Sequence, residues 1–253
     1  MASTWDRIEE FARILKAPIH RYVLRSDESD RMLTLIEQAR QLLWRSYSQL
    51  GYENVYVSFN GGKDSVAVLH LHRLAALSNP KIFEIATGRP LNVVFFKDPK
   101  ERLFPDITEF MERTAIKWNF SLRVIEATWD QGIPKLPAGG KKGFVLGCRN
   151  TDFDNVSLSD VEEGSAGGLE FQRIHPILNW TYGDVWNFLR LYALDYCPLY
   201  DLGYTSIGSA DNTIANPHLK RADGTCAPAY MLEDWSLERC GRTNDHKKAE
   251  NAK

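Results

Sequence analysis

One stretch of this chain combines glycines, a lysine and short polar side chains in a pattern that suits a phosphate. Residues 58–65 read Ser-Phe-Asn-Gly-Gly-Lys-Asp-Ser. Gly61 and Gly62 permit backbone conformations that a Cβ would forbid, so their N–H groups can be directed at an anion. Lys63 places a positive charge beside them, and Asp64 adds a carboxylate. The stretch therefore predicts a cradle for a phosphorylated ligand.

The residues on either side indicate which elements position this cradle. Residues 55–59 are β-branched and aromatic, which is typical of a buried strand. Val68, Leu71 and Leu74 follow at helical spacing. In a strand, glycine loop and helix of this order, the helix N-terminus carries a partial positive charge toward the anion. A Walker A loop has four residues between its first glycine and Gly-Lys, and this loop does not.

The rest of the sequence predicts alternating helices and strands. Helices are expected from Ser3 to Pro18, from about Ser29 to Gly51, over 105–118 and after Thr181, with Ser3 and Thr181 as the capping residues of the first and last. Strands are expected over 91–96, 122–125, 144–147 and 171–177. This alternation favours an α/β fold, a three-layer sandwich with a mostly parallel central sheet that binds ligands at the carboxyl ends of its strands. Residues 130–142 are expected to be a loop, and residues 155–168 an exposed, mobile loop, because they are polar.

Composition restricts the class of protein. A chain of 253 residues with 43% hydrophobic and 25% charged residues is typical of a soluble globular protein. We expect one domain over residues 1–242, with N-terminal helices over 1–52, a loop-rich C-terminal segment and a disordered tail over 243–253. The net charge of −2 gives no sign of a nucleic-acid or membrane surface. The N-terminus has no apolar signal region, and the four cysteines form no C-x-x-C pair, so we expect a reducing, cytoplasmic setting.

Several further motifs follow the cradle in a fixed order. They are Arg149–Asp152, Arg173–Trp180, Gly203–Gly208, Asn216–His218 and Glu238–Arg242. The cradle alone resembles the PP-loop of the ATP pyrophosphatase superfamily, with Asn60 where a serine is usual. The whole set resembles eukaryotic FAD synthase, an FMN adenylyltransferase with a PAPS reductase-like (adenine nucleotide alpha hydrolase-like) fold. The likeness covers roughly residues 30–242. Phe153 departs from it, since members often have proline there.

The resemblance implies an activity, a cofactor and a set of site residues. Members of the family join FMN and ATP to give FAD and pyrophosphate with Mg²⁺. Expected ATP-binding residues are Ser58, Phe59, Asn60, Gly61, Gly62, Lys63, Asp64 and Ser65. Expected FMN-binding residues are Arg149, Asp152, Arg173, Tyr204 and Arg242, and expected catalytic residues are Asn60, Asp64, Asp152 and Arg239. The expected partners are these small molecules and, transiently, apo-flavoproteins, with no nucleic acid and no membrane.

The residue types themselves leave some roles open. Asp64 suits either Mg²⁺ binding or helix capping. Arg149 offers a planar fork for a phosphate. Asp152 suits orienting a neighbouring arginine or binding flavin ring nitrogens, with a surface ion pair as the alternative. Arg239 and Arg242 are three residues apart, so a helical turn would direct both the same way. Arg173 suits either FMN binding or a structural role at its strand end.

Aromatic and histidine residues near these motifs have equally open roles. Tyr204, Trp180 and Trp235 are candidates for stacking on the flavin, with core packing as the alternative. His175 and His218 lack the paired spacing of metal ligands, so hydrogen-bonding roles are favoured.

Other protein classes remain as alternatives. PAPS reductases carry a catalytic cysteine in a Glu-Cys-Gly-x-His segment, whereas this chain has Glu238-Arg-Cys-Gly-Arg242. Other adenylylating PP-loop enzymes include tRNA modifiers, which would need a basic RNA-binding surface that the charge balance does not indicate. A non-catalytic nucleotide-binding module is the third alternative.

Overall fold

A six-stranded sheet lies at the centre of the chain in the computed structural model, which describes residues 3–86, 89–152 and 158–243. The strands are β1 Val55–Ser58, β2 Asn92–Lys97, β3 Ser121–Glu126, β4 Lys142–Val145, β5 Val161–Ala166 and β6 Leu169–Ile174. Their order across the sheet is β3-β2-β1-β4-β6-β5. Every neighbouring pair is parallel except β5 and β6. The predicted α/β fold with a mostly parallel sheet is confirmed.

Seven helices accompany these strands in the described ranges. They are α1 Thr4–Leu15, α2 Ser26–Leu50, α3 Lys63–Leu77, α4 Pro80–Ala86, α5 Pro105–Trp118, α6 Trp129–Gly132 and α7 Tyr182–Leu191. The predicted capping residues Ser3 and Thr181 each accept a hydrogen bond from the amide three residues later, in α1 and α7 respectively. Among the described residues, no helix has both the length and the apolar character of a membrane span.

Side chains on the two faces of the sheet belong to two separate hydrophobic clusters. In β1, Val55 and Val57 pack into the larger cluster with the long helices, while Tyr56 lies on the opposite face. This alternation follows from the two-residue period of a strand. The second cluster is smaller and contains Phe144, Phe171 and the neighbouring Trp129 of α6. The sheet therefore lies between a thick helical layer and a thin layer formed mainly by α6 and the residues after it.

Two loop predictions need correction. Residues 161–166 form strand β5, which pairs antiparallel with β6 through a turn at Gly167 and Gly168, with φ of +56° and +79°. The prediction of an exposed loop over 155–168 is therefore wrong for this part; residues 155–157 and Phe153 lie outside the described residues. A polar strand is possible here because β5 is at the sheet edge, where its outer side faces water. Within 130–142, the chain forms part of α6 and a 3₁₀ turn at Ile133–Lys135.

After α7 the regular elements among the described residues, up to Thr243, are short 3₁₀ turns, as the prediction of a loop-rich C-terminal segment requires. The turns are Pro198–Tyr200, Pro217–Leu219, Ala229–Met231 and Trp235–Leu237. Irregular backbone of this kind must be held by side-chain hydrogen bonds, because it lacks a repeating ladder of its own. The predicted disordered tail lies outside the described residues beyond Thr243.

Candidate active site

A cavity of about 740 Å³ opens at the carboxyl ends of β1, β4 and β6. Its lining residues are Ser58, Asn60, Gly62, Lys63, Asp64, Ser65, Trp129, Leu146, Gly147, Cys148, Asp152, Arg173, Tyr200, Ser206 and Ile207. This volume is in the range of small-molecule and cofactor sites. Since β1, β4 and β6 run parallel, the cradle, the segment after β4 and the end of β6 meet at one sheet edge.

The cradle forms one wall of this cavity. Gly61 has φ of +78°, a conformation that favours glycine. The amide of Gly62 donates to Asn60 Oδ1 at 3.0 Å, and the amide of Lys63 donates to the hydroxyl of Tyr200 at 2.8 Å. Because α3 begins at Lys63, the amides of its first turn have no carbonyl partner within the helix. These amides and the positive end of α3 face the cavity.

Gly147 lets the segment after β4 approach the start of α3 closely. A Cβ at this position would lie 2.9 Å from the carbonyl carbon of Asp64 and 3.1 Å from its main-chain oxygen. Main-chain atoms of a helix cannot give way as a side-chain tip can, so a larger residue would displace the cradle. Sequence reasoning assigned no role to Gly147, because nothing in the local pattern shows which backbone lies against it.

A network of five charged side chains extends from this wall into the interior: Lys63, Asp64 and Asp152 line the cavity, and Arg149 and Glu238 lie behind them. Lys63 Nζ contacts Asp64 Oδ2 at 2.8 Å and Glu238 Oε1 at 2.5 Å. Arg149 contacts Asp152 Oδ1 at 3.1 Å and Glu238 Oε2 at 2.7 Å through Nη2, and its Nε lies 3.0 Å from Asp64 Oδ1. This last contact is an ion pair without hydrogen-bond geometry, since neither atom has a hydrogen-bond partner in the described ranges.

Burial and pairing shift the ionisation of these groups in opposite directions. Burial alone would lower the pKa of Lys63, but Asp64 and Glu238 outweigh it, so this pKa lies above its usual value. Burial would raise the pKa of Asp64, but Lys63 and Arg149 hold it below its usual value. For Asp152, burial prevails over Arg149 and raises the pKa. The network thus holds Lys63 charged and Asp64 ionised at neutral pH.

The opposite wall of the cavity comes from the C-terminal segment. Thr205 and Asn216 are almost fully buried. The Thr205 hydroxyl donates to the main-chain oxygen of Glu238 at 2.6 Å. The Asn216 amide donates to Thr205 Oγ1 at 2.9 Å and to the main-chain oxygen of Leu237 at 2.8 Å. These bonds hold the loop that carries Ser206 and Ile207 against the turn at residues 235–242.

The turn at residues 238–242 differs from the helical turn that the spacing of its arginines suggested. It follows the 3₁₀ turn Trp235–Leu237, and the Arg242 amide donates to the Arg239 carbonyl at 2.8 Å. Arg239 is exposed, and Arg242 is half-buried with its guanidinium packed against Gly208. A Cβ at Gly208 would occupy the place of that guanidinium. Neither arginine belongs to the cavity lining, but Gly208 follows Ile207, which does.

The other predicted ligand contacts are divided between the cavity and the core. Arg173 lines the cavity, with its guanidinium 5.1 Å from the ring centre of Phe171. Arg149 is 1% exposed and pairs with Asp152 inside the fold, so the alternative of a surface ion pair does not hold, and Arg149 is absent from the cavity lining. Phe59 is fully buried in the core, which leaves only its main chain for a ligand. Tyr204 packs edge-on against Phe104, outside the cavity lining.

The remaining aromatic and histidine candidates also lie elsewhere. Trp180 is buried against Phe188, as the core-packing alternative requires. Trp235 packs against Gly183 at the start of α7. His175 is buried, and its Nδ1 lies 2.9 Å from the Ser159 carbonyl, which indicates a structural role.

Sequence reasoning missed several residues that the fold brings to the site. Trp129 is the tryptophan in the cavity lining, and its ring contacts Phe96 and Phe144 edge-on. Tyr200 accepts a hydrogen bond from the cradle, and Glu238 bridges the two buried cations. Glu238 is the first residue of the Glu238–Arg242 motif, and its place in that motif was the sequence feature that could have identified it. No sequence feature separated Trp129 from the other tryptophans.

Two carboxylates of the site could contribute to a metal centre. Within the described ranges, no group of three or more histidine, cysteine, aspartate or glutamate side chains could hold a metal ion by itself. Asp64 and Asp152 both line the cavity. A site of this kind suits an ion that is shared with a phosphate ligand, because Mg²⁺ commonly uses one or two carboxylates together with phosphate oxygens.

Comparison with known proteins gives consistent matches. The family model described as phosphoadenosine phosphosulfate reductase domain matches residues 135–215. The chain is 36% identical over 195 residues to a probable FAD synthase of Schizosaccharomyces pombe, covering 76% of this chain and 72% of that protein. It is 32% identical over 226 residues to a probable FAD synthase of Caenorhabditis elegans, covering 87% of this chain but only 42% of that protein.

Among solved structures, the fold is similar to that of Candida glabrata FMN adenylyltransferase in complex with FAD and inorganic pyrophosphate. The TM-score is 0.75, with 94% of this chain and 98% of that chain covered, at 20% sequence identity. At this identity the match establishes the fold alone.

Proposed function

The chain belongs to the FAD synthase family, and we propose that it transfers AMP from ATP to the phosphate of FMN, giving FAD and pyrophosphate. The observation that carries the proposal is a single cavity in which the glycine loop and α3 form one wall and Asp152 and Arg173 another. One wall suits the phosphates of ATP, and the other suits FMN. The two reactants would then meet inside a shared volume, as a transfer between them requires.

In the proposed reaction, an oxygen of the FMN phosphate attacks the α-phosphorus of ATP. A new P–O bond forms, the bond between the α-phosphorus and the bridging oxygen breaks, and pyrophosphate leaves with the electron pair. The phosphate is already a nucleophile, so no general base is required. The protein's task is to hold two anions in line and to offset their charge, which Asn60, Lys63 and the first-turn amides of α3 are placed to do.

The Arg149 guanidinium has a buried donor that its ion pairs leave unsatisfied. Its Nη1 is buried and has no hydrogen-bond partner among the described residues. Its Nη2 is already occupied by Asp152 and Glu238. Arg149 is absent from the cavity lining and 1% exposed, so FMN phosphate would reach Nη1 only by entering behind the lining residues; such a contact would satisfy this donor. Arg239 and Arg242 would add positive charge from the C-terminal turn.

The residues present fit a magnesium ion. Asp64 lines the cavity, and its buried Oδ1 has an ion-pair contact with Arg149 Nε at 3.0 Å but no hydrogen-bond partner within the described part of the chain. Asp64 would hold the ion, with Asp152 as a second carboxylate nearby and phosphate oxygens completing the shell. When bound, the ion would neutralise part of the charge on the phosphates.

Thiol chemistry of the PAPS reductase kind receives no support from the site. Among the residues that line the cavity, the cysteine is Cys148, and burial raises its pKa to about 11. A thiol with this pKa is protonated at neutral pH and is a poor nucleophile. Cys240 lies on the C-terminal turn, outside the cavity lining.

We further propose that residues 1–242 act as one domain and that the protein works in the cytoplasm. The Arg31–Asp184 ion pair at 2.6 Å, which ties α2 to α7, supports the single domain. All four cysteines lie in the described ranges and none forms a disulfide, which supports a reducing compartment. Transient contact with apo-flavoproteins stays a prediction.

The function is tested by incubating the protein with FMN, ATP and Mg²⁺ and separating the flavins by chromatography. We expect FAD and pyrophosphate in equal amounts. Riboflavin in place of FMN is the matched control, because it lacks the phosphate nucleophile and should give no adenylylated product. ATP binding without FAD formation would favour the non-catalytic module instead.

A further inference from the structure

Glu238 occupies a position that the proposed reaction does not by itself explain. Its carboxylate is buried and lies between two buried cations, Lys63 and Arg149. Oε1 is 2.5 Å from Lys63 Nζ and 2.8 Å from Arg149 Nη2, and Oε2 is 2.7 Å from the same Nη2. Glu238 is absent from the cavity lining, so it does not face the ligands.

The two cations come from separate elements. Lys63 opens α3, whereas Arg149 follows β4. Both are almost fully shielded from water, with 2% and 1% of their side chains exposed, so their mutual repulsion is poorly screened. A carboxylate that contacts both removes this repulsion and fixes the distance between them. Asp64 also contacts both, but its carboxylate faces the cavity, where a ligand or metal would compete for it.

Glu238 also connects the cradle to the C-terminal wall. Its main-chain oxygen accepts the Thr205 hydroxyl, while its side chain reaches Lys63, 175 residues earlier in the sequence. Arg239 is the next residue, and its carbonyl accepts the Arg242 amide. The turn that carries both arginines is therefore attached to the cradle through the Glu238 side chain.

We propose that Glu238 is a positioning residue for adenylyl transfer, which holds Lys63 and Arg149 in register with each other and with the arginine turn. The proposal rests on the proposed function. Glu238 acts through the cations and does not touch the substrate. Its removal should therefore lower kcat more than it weakens ATP binding, since the cradle amides remain in place.

Four variants separate this role from a purely structural one. E238Q removes the charge, and E238D keeps it on a side chain one methylene shorter. T205A removes the bond to the Glu238 main chain and leaves the carboxylate. E233Q, at an exposed position in the same segment, is the matched control. Each is assayed for kcat and for the KM of ATP at a temperature well below its melting midpoint, so that only folded protein is compared.

We expect E238Q to lower kcat at least about tenfold, short of the ~10²–10³ that loss of a direct phosphate contact costs, with the KM for ATP little changed. E238D should recover part of the loss, and E233Q should match the parent. T205A should lower the melting temperature and affect kcat less than E238Q does. If E238Q equals E233Q in kcat, or if T205A and E238Q lose kcat in equal measure, the positioning role is wrong. If E238Q does not fold, the E238D variant is used instead. A kcat of E238D equal to that of the parent would then refute the proposal, and a lower kcat would support it.

A second measurement does not depend on turnover. An amine-acylating reagent, with mass spectrometry of the Lys63 peptide, reports how firmly the amine is held. We expect labelling of Lys63 to rise severalfold in E238Q and to stay at the parent level in E233Q and T205A. A parent that forms no FAD would refute the proposed function alone. Equal Lys63 labelling in E238Q and E233Q would refute the role of Glu238 alone.

Discussion

The two walls of the cavity are built by different means. The cradle wall is one continuous unit of strand, loop and helix, in which main-chain amides and a helix terminus face the ligand. In the described part of the C-terminal wall, residues 203–242, no regular element is longer than a 3₁₀ turn, and buried side chains such as Thr205 and Asn216 hold it in place. The cradle wall therefore depends on local geometry, and the C-terminal wall depends on a few long-range hydrogen bonds.

The largest expected effect is on the cradle wall. Asn60→Ala and Asp64→Ala should each lower FAD formation by ~10²–10³, because each removes a preorganised polar contact at the phosphates. The fold should persist, since Lys63 and Arg149 keep Glu238 as a partner. Steady-state kinetics and circular dichroism measure the two effects, with Asp130→Ala at an exposed helical site as the control. Near-normal turnover in both variants would show that the cradle is not part of the active site.

The next largest effect on turnover is expected in the C-terminal turn, where Arg242 and Cys240 should differ. Arg242→Ala should lower turnover by about tenfold or more, because it removes a charge that would stabilise the phosphates. Cys240→Ser should stay close to the parent, since adenylyl transfer makes no use of a thiol. Arg221→Ala, at an exposed position, controls for general loss of charge. A Cys240→Ser variant that binds ATP but forms no FAD would instead indicate thiol chemistry.

The stability of the C-terminal wall is expected to depend on Asn216. Asn216→Ala should destabilise the protein by about 1–3 kcal/mol, because it leaves the buried Thr205 hydroxyl and Leu237 carbonyl with fewer partners. In hydrogen exchange, amides of residues 203–216 and 235–242 should exchange faster, while those of α3 keep their protection. Equal acceleration in both walls would mean that they unfold as one unit, and the distinction between them would fail.

The smallest expected effect concerns Cys148, which lines the cavity but belongs to neither wall. Burial raises its pKa to about 11, so the thiol stays protonated through neutral pH and ionises only as the pH approaches that value. At pH 8 roughly one molecule in 10³ would carry the thiolate, so alkylation by iodoacetamide should be about 100-fold slower than for glutathione. Cys148→Ser should change FAD formation little. Rapid alkylation at pH 7 would contradict the shielded position.

The sequence predicted the features that depend on neighbouring residues and missed those that depend on distant contacts. The cradle could be read directly, since Gly61, Gly62 and the helix after them are neighbours in the chain and their pattern is local. Capping at Ser3 and Thr181 was predicted for the same reason. Strand β5 was missed because its polar residues suit a loop as well as an edge strand, and only its pairing with β6 decides between them.

By itself the sequence determined the α/β alternation, the phosphate cradle and the set of motifs that resembles FAD synthase. Only the tertiary structure decided which charged residues meet. Lys63 and Glu238 are 175 residues apart, and Arg149 and Glu238 are 89 apart. Gly147 matters because the start of α3 lies against it, and Trp129 lines the cavity because of where α6 packs. Local periodicity carries no record of such distant neighbours, because they are set by the packing of whole elements.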